Sequence, residues 1–496
     1  MTTSGLTQHI NSQDRWPLHS VAQTLTLEHQ ARAELPSYAL MQRAGLATAQ
    51  LAMAIAPHAH QVWIACGHGN NGGDGLEAAV HLQAWGKKPI VTWLGSEEKA
   101  SSDAKQAWTR AKSAGVTFLQ HPPLAFDLAI DALLGIGAQR SPEGLMAQWL
   151  DAIQTSEVPV LCVDIPTGLL ADTGEWIGLS PAQGSHVCPQ RHTLSLLTLK
   201  PGLFTAHGQD AAGQVWFNDL GVAPLPQPAA WLQQHVDAPA NRPHNSHKGS
   251  FGDVSVVGGA PSMAGAAMLA GIAALHGGAG RVLLGLLDEA AHHAVTAAHP
   301  ALMVRQVAAL DLTTSTVVCG CGGGDGMHAL LHTVLSSSEK LVLDADALNA
   351  IAVDTSLQIL LKKRSQRQKP TVLTPHPLEA ARLLHCTTKD VQSNRLQAAQ
   401  GLADTFECTV VLKGSGSIIA SPGRSAVING SGNALLASAG TGDVLAGLMG
   451  AYIARSDDVF EAACHAVFAH GHVADEWPND GPPLDAAGLA ASVRSS

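Results

Sequence analysis

A glycine-rich segment follows directly after a short apolar run in the first part of the chain. The run VWIAC (62–66) leads into GHGNNGGDG (67–75), and an apolar helical pattern, LEAAVHLQAW, begins at once. This order predicts a phosphate-binding strand, loop and helix, because glycines let the backbone approach an anion and a helix N-terminus carries partial positive charge. The loop is neither a G-x-G-x-x-G fingerprint nor a lysine-containing P-loop. A tight turn whose asparagines cap the helix is an equally good interpretation.

Oxygen-bearing side chains recur where later apolar runs end. Asp131 lies in DALLGIG, and Asp164 and Thr167 lie in DIPTGLLADTG. Ligands of open parallel sheets bind at the carboxyl ends of the strands, so we expect Asn71, Asp131, Asp164 and Thr167 to converge. Such oxygen ligands suit an alkali or alkaline-earth cation beside an anionic ligand. The alternative is that each aspartate caps the helix that follows it.

The second half of the chain carries a G-T-G-D motif at residues 440–443, just before the apolar helix pattern VLAGLMGAYIA. Backbone N–H groups there could bind a phosphoryl group, with the Asp443 carboxylate beside the attacking oxygen. Phosphoryl transfer depends mainly on such positioning and charge neutralisation. A turn capped by Asp443 would explain the aspartate but not the nearby NGSGN (429–433), so we favour the catalytic interpretation.

Polar residues also end three other apolar runs. Residues 413–417 (KGSGS) form a flexible loop with one cation, suited to a nucleotide's phosphates or ribose, or else an ordinary hairpin turn. His376 precedes a helix pattern with Glu379 three residues on, which is typical of a helix cap. Asp344 and Asp346 are candidates for magnesium or substrate contact, or for capping.

The elements that must position these residues alternate between strands and helices in both halves. In the first half the strand-like runs are residues 62–66, 89–95, 127–135, 158–166, 193–199 and 214–221. In the second half they are residues 253–259, 281–287, 316–324, 340–348, 371–377 and 408–414. Alternation of this kind predicts α/β domains with parallel sheets.

Between the halves lies a passage rich in proline, asparagine and histidine, APLPQPAAW followed by DAPANRPHNSHKG, in which we expect no regular element. We place the domain boundary near residues 222–235, which predicts domains at 1–222 and 236–496. The two halves share no sequence repeat, so they are expected to be different α/β domains.

Composition excludes several classes of protein. The chain has 496 residues, 46% of them hydrophobic and only 14% charged, which indicates a globular protein with large cores. The formal charge of -11 argues against a nucleic-acid groove, since phosphate backbones require clustered Lys and Arg.

Targeting and metal-binding patterns are missing from the sequence. The polar N-terminus predicts no signal peptide, and the apolar residues 260–287 read as a buried helix followed by a strand. We predict reduced, buried thiols in a cytoplasmic protein, because the eight cysteines are scattered singly. The pairs His292-His293 and His470-x-His472 lack a metal-ligand pattern and are expected to be solvated or to cap helices. The cysteines are Cys66, Cys162, Cys188, Cys319, Cys321, Cys386, Cys408 and Cys464.

Four ordered motifs, GNNGGDG, DALLGIG, DIPTGLLADTG and TLKPGLFTAHGQDAAGQV, resemble the NAD(P)H-hydrate epimerase domain over roughly residues 10–222. The resemblance implies a Rossmann-like doubly wound domain that interconverts the R and S epimers of hydrated NADH or NADPH. It implies that K⁺ is held by Asn71, Asp131 and Thr167, and that Asp164 handles the proton. Implied substrate contacts are Asn70, Asn71, Gly72, Gly73, Asp74, Gly135, Ile136, Gly137, Ala138, Gln139, Arg140, Ser141 and Asp164. Ile136 stands where the family usually carries Thr, which removes a possible hydroxyl contact.

The second half resembles the NAD(P)H-hydrate dehydratase domain, which has a ribokinase-like α/β fold, over roughly residues 236–494. The motifs are HKGSFGDVSVVGGAPSMAGAA, LDADALN, LTPHPLEAARLL, VLKGSGS and NGSGNALLASAGTGDVLAG. The two domains together are similar to bifunctional NAD(P)H-hydrate repair enzymes. Implied substrate contacts are Ala264, Gly322, His376 and Asp443, and implied adenine-nucleotide contacts are Lys413, Gly414, Ser415, Gly416, Ser417 and Gly442.

The implied mechanism of the second domain joins kinase and lyase chemistry. Asp443 would take the proton from the 6-hydroxyl as its oxygen attacks the terminal phosphoryl of ADP, with Mg²⁺ offsetting the charge. Phosphate leaves far more readily than hydroxide, and its elimination restores the dihydronicotinamide ring. Cys321 stands where the family usually carries Pro and is expected to loosen the loop that holds Gly322.

A rival hypothesis is a ribokinase-type small-molecule kinase fused to a nucleotide-binding regulatory domain. It would share G-T-G-D but would not need GNNGGDG and DIPTGL. The expected partners are small-molecule substrates, with neither nucleic acid nor membrane, and we expect a homo-oligomer.

Overall fold

The structure is a computed structural model that describes residues 5–10, 15–96, 98, 100–178, 190–236, 244–478 and 480–494. Beyond the first fifteen residues, the chain divides into two compact units after Ala230. The division falls inside the linker passage noted in the sequence. Cys188 and residues 237–243 lie outside the described residues.

In the part of the chain before the division, the strands are β1 (Gln8–His9), β2 (Arg15–Leu18), β3 (Gln61–Cys66), β4 (Lys88–Trp93), β5 (Thr117–Leu119), β6 (Leu128–Ala132), β7 (Val160–Val163), β8 (Arg191–Leu196) and β9 (Gln214–Asn218). The helices are α1 (Val21–Glu34), α2 (Ala39–Ile55), α3 (Asn70–Ala84), α4 (Ser102–Ser113), α5 (Leu145–Gln154) and α6 (Gly208–Ala212).

After the division, the strands are β10 (Ala230–Gln233), β11 (Asp253–Gly258), β12 (Arg281–Leu286), β13 (Met303–Arg305), β14 (Thr316–Cys319), β15 (Lys340–Leu343), β16 (Thr371–Leu373), β17 (Thr409–Leu412), β18 (Ile418–Ala420) and β19 (Ala426–Asn429). The helices are α7 (Ala264–His276), α8 (His292–Ala298), α9 (Met327–Ser337), α10 (Ala345–Val353), α11 (Thr355–Gln366), α12 (Pro377–Leu384), α13 (Thr388–Ser393), α14 (Arg395–Phe406), α15 (Thr441–Ala454), α16 (Val459–Asp475) and α17 (Ala486–Ser492).

The sheet of the first unit has the strand order β1-β9-β8-β7-β6-β3-β4-β5 among the described residues. Strands β3 to β9 pair in parallel, and β1 runs antiparallel to β9. The chain leaves β3 towards β4 on one side and later returns to β6 on the other, so the strand order reverses between β3 and β6. This confirms the predicted doubly wound sheet and puts a ligand crevice at the carboxyl ends of β3 and β6.

Strand β3 shows why the first sheet is covered on both faces. Its residues alternate in direction, so Val62, Ile64 and Cys66 join one buried apolar cluster. Trp63 and Ala65 join another. All five are fully buried, as expected for a central strand of a parallel sheet. The core therefore holds the ends of β3 and its neighbours in fixed positions.

The described strands of the second unit follow the order β13-β12-β11-β14-β15-β16-β17-β18-β19-β10. Strands β11 to β17 pair in parallel, whereas β17, β18 and β19 form antiparallel pairs. The order reverses between β11 and β14, so a second crevice lies where these strands end. The prediction of a second, different α/β domain is confirmed.

Three sequence-based expectations need correction. A strand, β10, lies in the linker passage where we expected no regular element, because Ala230 and Leu232 are fully buried and support it. Cys386 is exposed, although the other described cysteines are buried as predicted. His470 is buried rather than solvated, because its ring nitrogen Nε2 pairs with the Thr441 carbonyl at 2.9 Å.

The apolar residues 260–287 form helix α7 followed by strand β12, as predicted. Within the described part of the chain, no helix combines the length and apolar character needed to cross a bilayer.

Candidate active sites

A cavity of about 360 Å³ opens at the carboxyl edge of the first sheet. Its lining comes from the segments that follow β3, β6, β7, β8 and β9, together with residues of α1, α2 and α4. The lining residues that the sequence singled out are Asn70, Asn71, Asp74, Gly135, Ile136, Gly137, Ala138 and Asp164. The described residues Gln139, Arg140 and Ser141 are exposed and lie outside this lining.

Close backbone approaches explain two glycines of the loop after β3. A Cβ atom on Gly67 would lie 1.8 Å from the Leu133 carbonyl oxygen, and one on Gly72 would lie 2.1 Å from the Gly67 carbonyl oxygen. Neither distance can be accommodated by a side chain, so only glycine fits at both positions. The loop therefore turns tightly into α3, whose first residue is Asn70.

Asn71 presents an unpartnered amide to this cavity. Both its Oδ1 and its Nδ2 atoms are buried without a hydrogen-bond partner. A buried polar group without a partner is costly, so such atoms mark a place where a ligand, ion or water completes the hydrogen bonding. Helix α3 begins at Asn70 without a side-chain cap, so the alternative in which asparagine side chains cap this helix is wrong. Asn70 Oδ1 instead accepts the Ser101 hydroxyl at 2.6 Å.

Asp164 follows strand β7 and lies beside the same loop. A Cβ atom on Gly135 would be 3.3 Å from Asp164 Oδ2 and 3.4 Å from the Asn71 side chain, so these three residues surround one point. Asp164 has a φ of 70°, in the left-handed region that few residues other than Gly, Asn and Asp adopt. Its Oδ1 atom pairs with the buried Lys200.

Asp131 and Thr167 form a closed pair at the end of β6. The Thr167 hydroxyl donates to Asp131 Oδ1 at 2.7 Å, and its backbone N–H donates to Oδ2 at 3.1 Å. The Leu133 N–H donates to Oδ1 at 3.2 Å. Burial raises the pKa of Asp131, against the effect of these hydrogen bonds. The carboxylate thus makes a tertiary link between β6 and the loop after β7 rather than only capping a local turn.

Asp74 is one of four carboxyl groups that line the cavity, with Glu28, Asp103 and Asp164. Burial raises its pKa well above the usual value, and the neighbouring Asp164 and Glu28 carboxylates raise it further. Arg32 also lines the cavity, where it pairs with Glu28 at 2.8 Å and Asp103 at 3.4 Å. The cavity wall is therefore acidic with one cation on its rim.

The second site forms where β15 and β17 end. Lys413 Nζ donates to Asp344 Oδ1 at 2.6 Å, and the Thr374 hydroxyl donates to the same oxygen at 2.9 Å. Burial alone would lower the pKa of Lys413, but the carboxylates of Asp344 and Glu379 raise it. A Cβ atom on Gly442 would lie 3.3 Å from Lys413 Nζ and 4.0 Å from Asp344 Oδ2. The lysine is therefore held against the G-T-G-D segment.

Asp443, in the first turn of α15, completes this cluster. A carboxylate oxygen of Asp443, the Sγ atom of Cys321 and a carboxylate oxygen of Asp344 all lie within 4.8 Å of one another. The pKa of Asp443 is raised to about 6, mainly by burial and also by the charge of Asp344. A hydrogen bond with the Cys321 thiol and the charge of Lys413 act in the opposite direction. A carboxyl group with such a pKa can exchange a proton near neutral pH.

Helix α15 begins in a backbone conformation that requires glycine. Gly440, the residue before the helix, has a φ of 90°. The Thr441 hydroxyl has the Leu436 and Ser438 carbonyl oxygens as acceptors for its single proton, each 2.9 Å away. His470 holds the Thr441 carbonyl, and burial lowers the pKa of this histidine to about 4, so its ring is neutral at physiological pH. The helix N-terminus, with its free N–H groups, is thus held beside Asp344 and Lys413.

The loop after β14 lies against the start of α7. A Cβ atom on Gly322 would be 2.8 Å from the Met263 carbonyl oxygen, next to Ala264 in the chain, and the Gly322 carbonyl accepts the Ala260 N–H at 2.7 Å. Cys321 is fully buried, and its carbonyl accepts the Gly259 N–H at 3.0 Å. Cys321 was expected to loosen this loop, but these two backbone hydrogen bonds hold it in place.

His376 has the capping role that its spacing suggested. Its Nδ1 atom accepts the N–H groups of Leu378 and Glu379 at 3.1 and 3.3 Å, and Glu379 Oε2 accepts the His376 N–H at 2.8 Å. Its Nε2 lies 3.1 Å from Glu379 Oε1.

Residues 413–417 connect the antiparallel strands β17 and β18, so they also form the hairpin turn named as the alternative. Arg395 supports this turn, since its guanidinium donates to the Lys413 carbonyl at 3.2 Å.

Sequence reasoning missed Lys200, Thr374, Arg395 and His470. Lys200 stands in the quoted motif TLKPG, and Thr374 stands in LTPHP, but neither residue had a signal for its role. Each of these side chains lies in, or just after, a different strand or helix from the residue it contacts, so the two partners are far apart in the sequence.

Two known protein families match separate parts of the chain. Residues 254–492 match the family described as NAD(P)H-hydrate dehydratase, and residues 37–202 match the family described as YjeF-related protein N-terminus.

Curated relatives include proteins with both parts and proteins with one. The bifunctional NAD(P)H-hydrate repair enzyme Nnr of Escherichia coli (strain K12) is 36% identical over 466 residues, which cover 89% of this chain and 85% of that protein. The ADP-dependent (S)-NAD(P)H-hydrate dehydratase of Neisseria meningitidis serogroup B is 40% identical over 258 residues, which cover 51% of this chain and 84% of that protein.

Among solved structures, the ADP/ATP-dependent NAD(P)H-hydrate dehydratase of Bacillus subtilis, co-crystallised with ATP/Mg²⁺, matches with a TM-score of 0.46 and 29% identity. The match covers 51% of this chain and 91% of that one.

Proposed function

Because the chain belongs to the family of bifunctional NAD(P)H-hydrate repair enzymes, we propose that its two crevices carry the two activities of that family. The crevice of the first unit would epimerise hydrated NADH and NADPH. The crevice of the second would dehydrate the S epimer with ADP, giving AMP and phosphate. The observation that carries this proposal is that each crevice holds a carboxylate, Asp164 or Asp443, beside a glycine-rich segment at a helix N-terminus.

For the epimerase, Asp164 would handle the proton at the hydroxyl-bearing ring carbon. The adjacent ring nitrogen can push out the hydroxyl group as water, or open the ring, and readmission on the other face gives the other epimer. A base is needed to take the proton from the returning water, and Asp164 Oδ2 lies beside Gly135 in the cavity. Asp74, whose pKa is raised, is the group suited to remain protonated and give a proton.

For K⁺, the proposed ligands are Asn71, Asp131 and Thr167, and the residues fit such an ion. Asn71 Oδ1 is a buried oxygen without a partner. Asp131 accepts three hydrogen bonds, and a carboxylate has about four acceptor positions, so it can still offer one. Bound there, K⁺ would supply a positive field that favours an anionic ligand.

For the dehydratase, Asp443 would take the proton of the 6-hydroxyl as its oxygen attacks the terminal phosphoryl of ADP. AMP leaves, and the phosphorylated hydrate then loses phosphate and a ring proton to restore the dihydronicotinamide. The N-terminus of α15 and Lys413 supply positive charge for the phosphates, since Lys413 adjoins Gly442. Ala264, Gly322 and His376 are the proposed contacts of the nicotinamide nucleotide.

For Mg²⁺, we propose Asp344 and Asp346 as candidate ligands. Mg²⁺ in such sites is held by one or two carboxylates together with the substrate phosphates. Lys413 and Thr374 occupy Asp344 Oδ1, which leaves Oδ2 on the side of Gly442. When bound, the ion would offset the charge of the transferred phosphoryl group.

The kinase hypothesis is not favoured, because the matched relatives are repair enzymes over both units. We further propose a cytoplasmic location, because the described cysteines form no disulfide, as is usual in a reducing compartment. The expected homo-oligomer stays a prediction.

The proposal is tested by adding enzyme, Mg²⁺ and ADP to mixed R and S hydrate and following the near-ultraviolet absorbance of NADH. We expect full recovery, beyond the S share and faster than spontaneous epimerisation, because both steps proceed. Parallel reactions contain ATP or no nucleotide. Recovery that stops at the S share would contradict the epimerase assignment, and no recovery would favour the kinase.

Asp443→Ala and Asp164→Ala should separate the two activities. We expect Asp443→Ala to lower dehydration by about 100-fold or more and to leave epimer exchange intact, because each base serves one crevice. Asp164→Ala should do the reverse. Dehydration of S hydrate is followed by absorbance, and epimer exchange without ADP is followed by chromatography. Retention of an activity within about threefold would remove the corresponding residue from its base role.

The dehydratase should lose activity as the pH falls through about 6, because its base, Asp443, has a pKa of about 6 and becomes protonated. Below this pH, kcat/KM for the hydrate should fall about tenfold per unit. Cys321→Ala removes a hydrogen bond that lowers this pKa, so the acid limb should move to higher pH. Cys321→Ser, which keeps a donor, is the matched control. An unmoved limb in Cys321→Ala would refute the thiol's influence on Asp443.

Replacing K⁺ by Li⁺ should slow epimer exchange and leave dehydration of S hydrate unchanged, because the proposed K⁺ ligands belong to the first crevice. Asn71→Ala should weaken the apparent affinity for K⁺, measured from epimer exchange at increasing KCl with ionic strength held constant by LiCl. If Asn71→Ala shows the wild-type K⁺ dependence, Asn71 is not a ligand.

A further inference from the structure

Lys200 is a fully buried cation behind the cavity of the first unit. It follows strand β8 by four residues, and its side chain folds back over the end of that strand to reach Asp164. A buried ammonium group is costly unless it is paired, so its position requires an explanation.

Each of the three protons of the Lys200 ammonium has an acceptor within the protein. Lys200 Nζ donates to Asp164 Oδ1, to the Leu196 carbonyl at 2.7 Å and to the Ser195 hydroxyl at 3.2 Å. An ammonium group has three donors, so none remains for a substrate. Lys200 is also absent from the residues that line the described cavity. It can therefore affect the reaction only through a residue that does line it.

The two oxygens of Asp164 are in different environments. Oδ1 takes the Lys200 ammonium and lies 3.4 Å from the Leu196 N–H. Oδ2 lies on the side of Gly135, in the cavity. With Oδ1 anchored behind, the carboxylate cannot rotate without breaking the ion pair, and Oδ2 stays directed at the ligand space.

The surroundings of Asp164 make the charge of Lys200 important. Asp74 and Glu28 carboxyl groups share the cavity, and Asp164 raises the pKa of Asp74. Like charges in one cavity repel one another, so a carboxylate in this position is stabilised by a cation beside it. The Lys200 ammonium, in contact with Asp164 Oδ1, is that cation.

We propose that Lys200 is a positioning residue of the epimerase, which holds Asp164 by its Oδ1 atom so that Oδ2 faces the substrate. The inference rests on the proposed role of Asp164 as the base. It predicts that the charge of Lys200 affects the turnover step more than substrate binding, because the ammonium does not touch the substrate.

The test compares Lys200→Met, Lys200→Gln, Lys200→Arg and Ser195→Ala by epimer exchange without ADP, followed by chromatography. We expect Lys200→Met and Lys200→Gln to lower kcat by about 30-fold or more, with KM within about threefold of wild type. Lys200→Arg keeps the charge and should recover at least about a tenth of the wild-type kcat. Ser195→Ala removes one acceptor but no charge, and it should stay within about threefold of wild type.

A double-mutant cycle with Asp164→Asn separates a role through Asp164 from an independent one. If Lys200 acts through Asp164, Lys200→Met should cause no further loss in the Asp164→Asn background. A second, additive loss would overturn the proposal. So would a wild-type kcat in Lys200→Gln, or a raised KM with unchanged kcat in Lys200→Met, since the latter would indicate a substrate-binding cation.

Folding and the proposed function have their own readouts. Far-ultraviolet circular dichroism and thermal melts check each variant, and Lys200→Gln, which keeps a donor for the buried acceptors, decides the question if Lys200→Met does not fold. Normal exchange in Asp164→Asn alone would refute the base assignment, and the Lys200 inference with it. Loss in Asp164→Asn with wild-type exchange in both neutral Lys200 variants would refute only the positioning role.

Discussion

A carboxylate withdrawn from water at the end of a parallel strand must be paired or hydrogen-bonded, and this requirement shapes both crevices. In the first unit Asp164 meets the buried Lys200, and in the second Asp344 meets Lys413. Each lysine comes from the end of another strand of the same sheet, or from the segment just after it. Removing one partner of such a pair would leave an uncompensated charge, which is far more costly than never burying the pair.

Each ion pair also gives the oxygen atoms of the crevice different roles. In Asp164, one oxygen is held by the cation and the other faces the cavity. In the second crevice, Asp344 takes up the lysine while Asp443, a third partner in the cluster, has a pKa raised by burial and by Asp344. In the second crevice, the carboxylate that holds the lysine therefore raises the pKa of the carboxylate proposed to exchange the proton. In the first crevice, Asp164 both holds the lysine and serves as the proposed base, and it raises the pKa of Asp74 beside it.

Much of this arrangement could be predicted from local patterns. The alternating apolar runs predicted the parallel strands, because a strand buried on both faces reads as a continuous apolar segment. Glycines before a helix pattern predicted the loops after β3 and before α15. A side chain would not fit at Gly67, which lies against Leu133, and the positive φ of Gly440 is unfavourable for other residues. The spacing of His376 and Glu379 predicted a cap, which is a contact between residues three apart.

The sequence by itself determined the α/β class, the two crevices and the carboxylates at their edges, because these follow from periodicity and from which residues end each strand. Only the tertiary structure decided that Lys200 faces Asp164, that the Cys321 thiol meets Asp443, and that His470 is buried against Thr441. The physical reason is that strand order brings together residues far apart in the chain, and no local pattern records which side chain will meet which across a sheet.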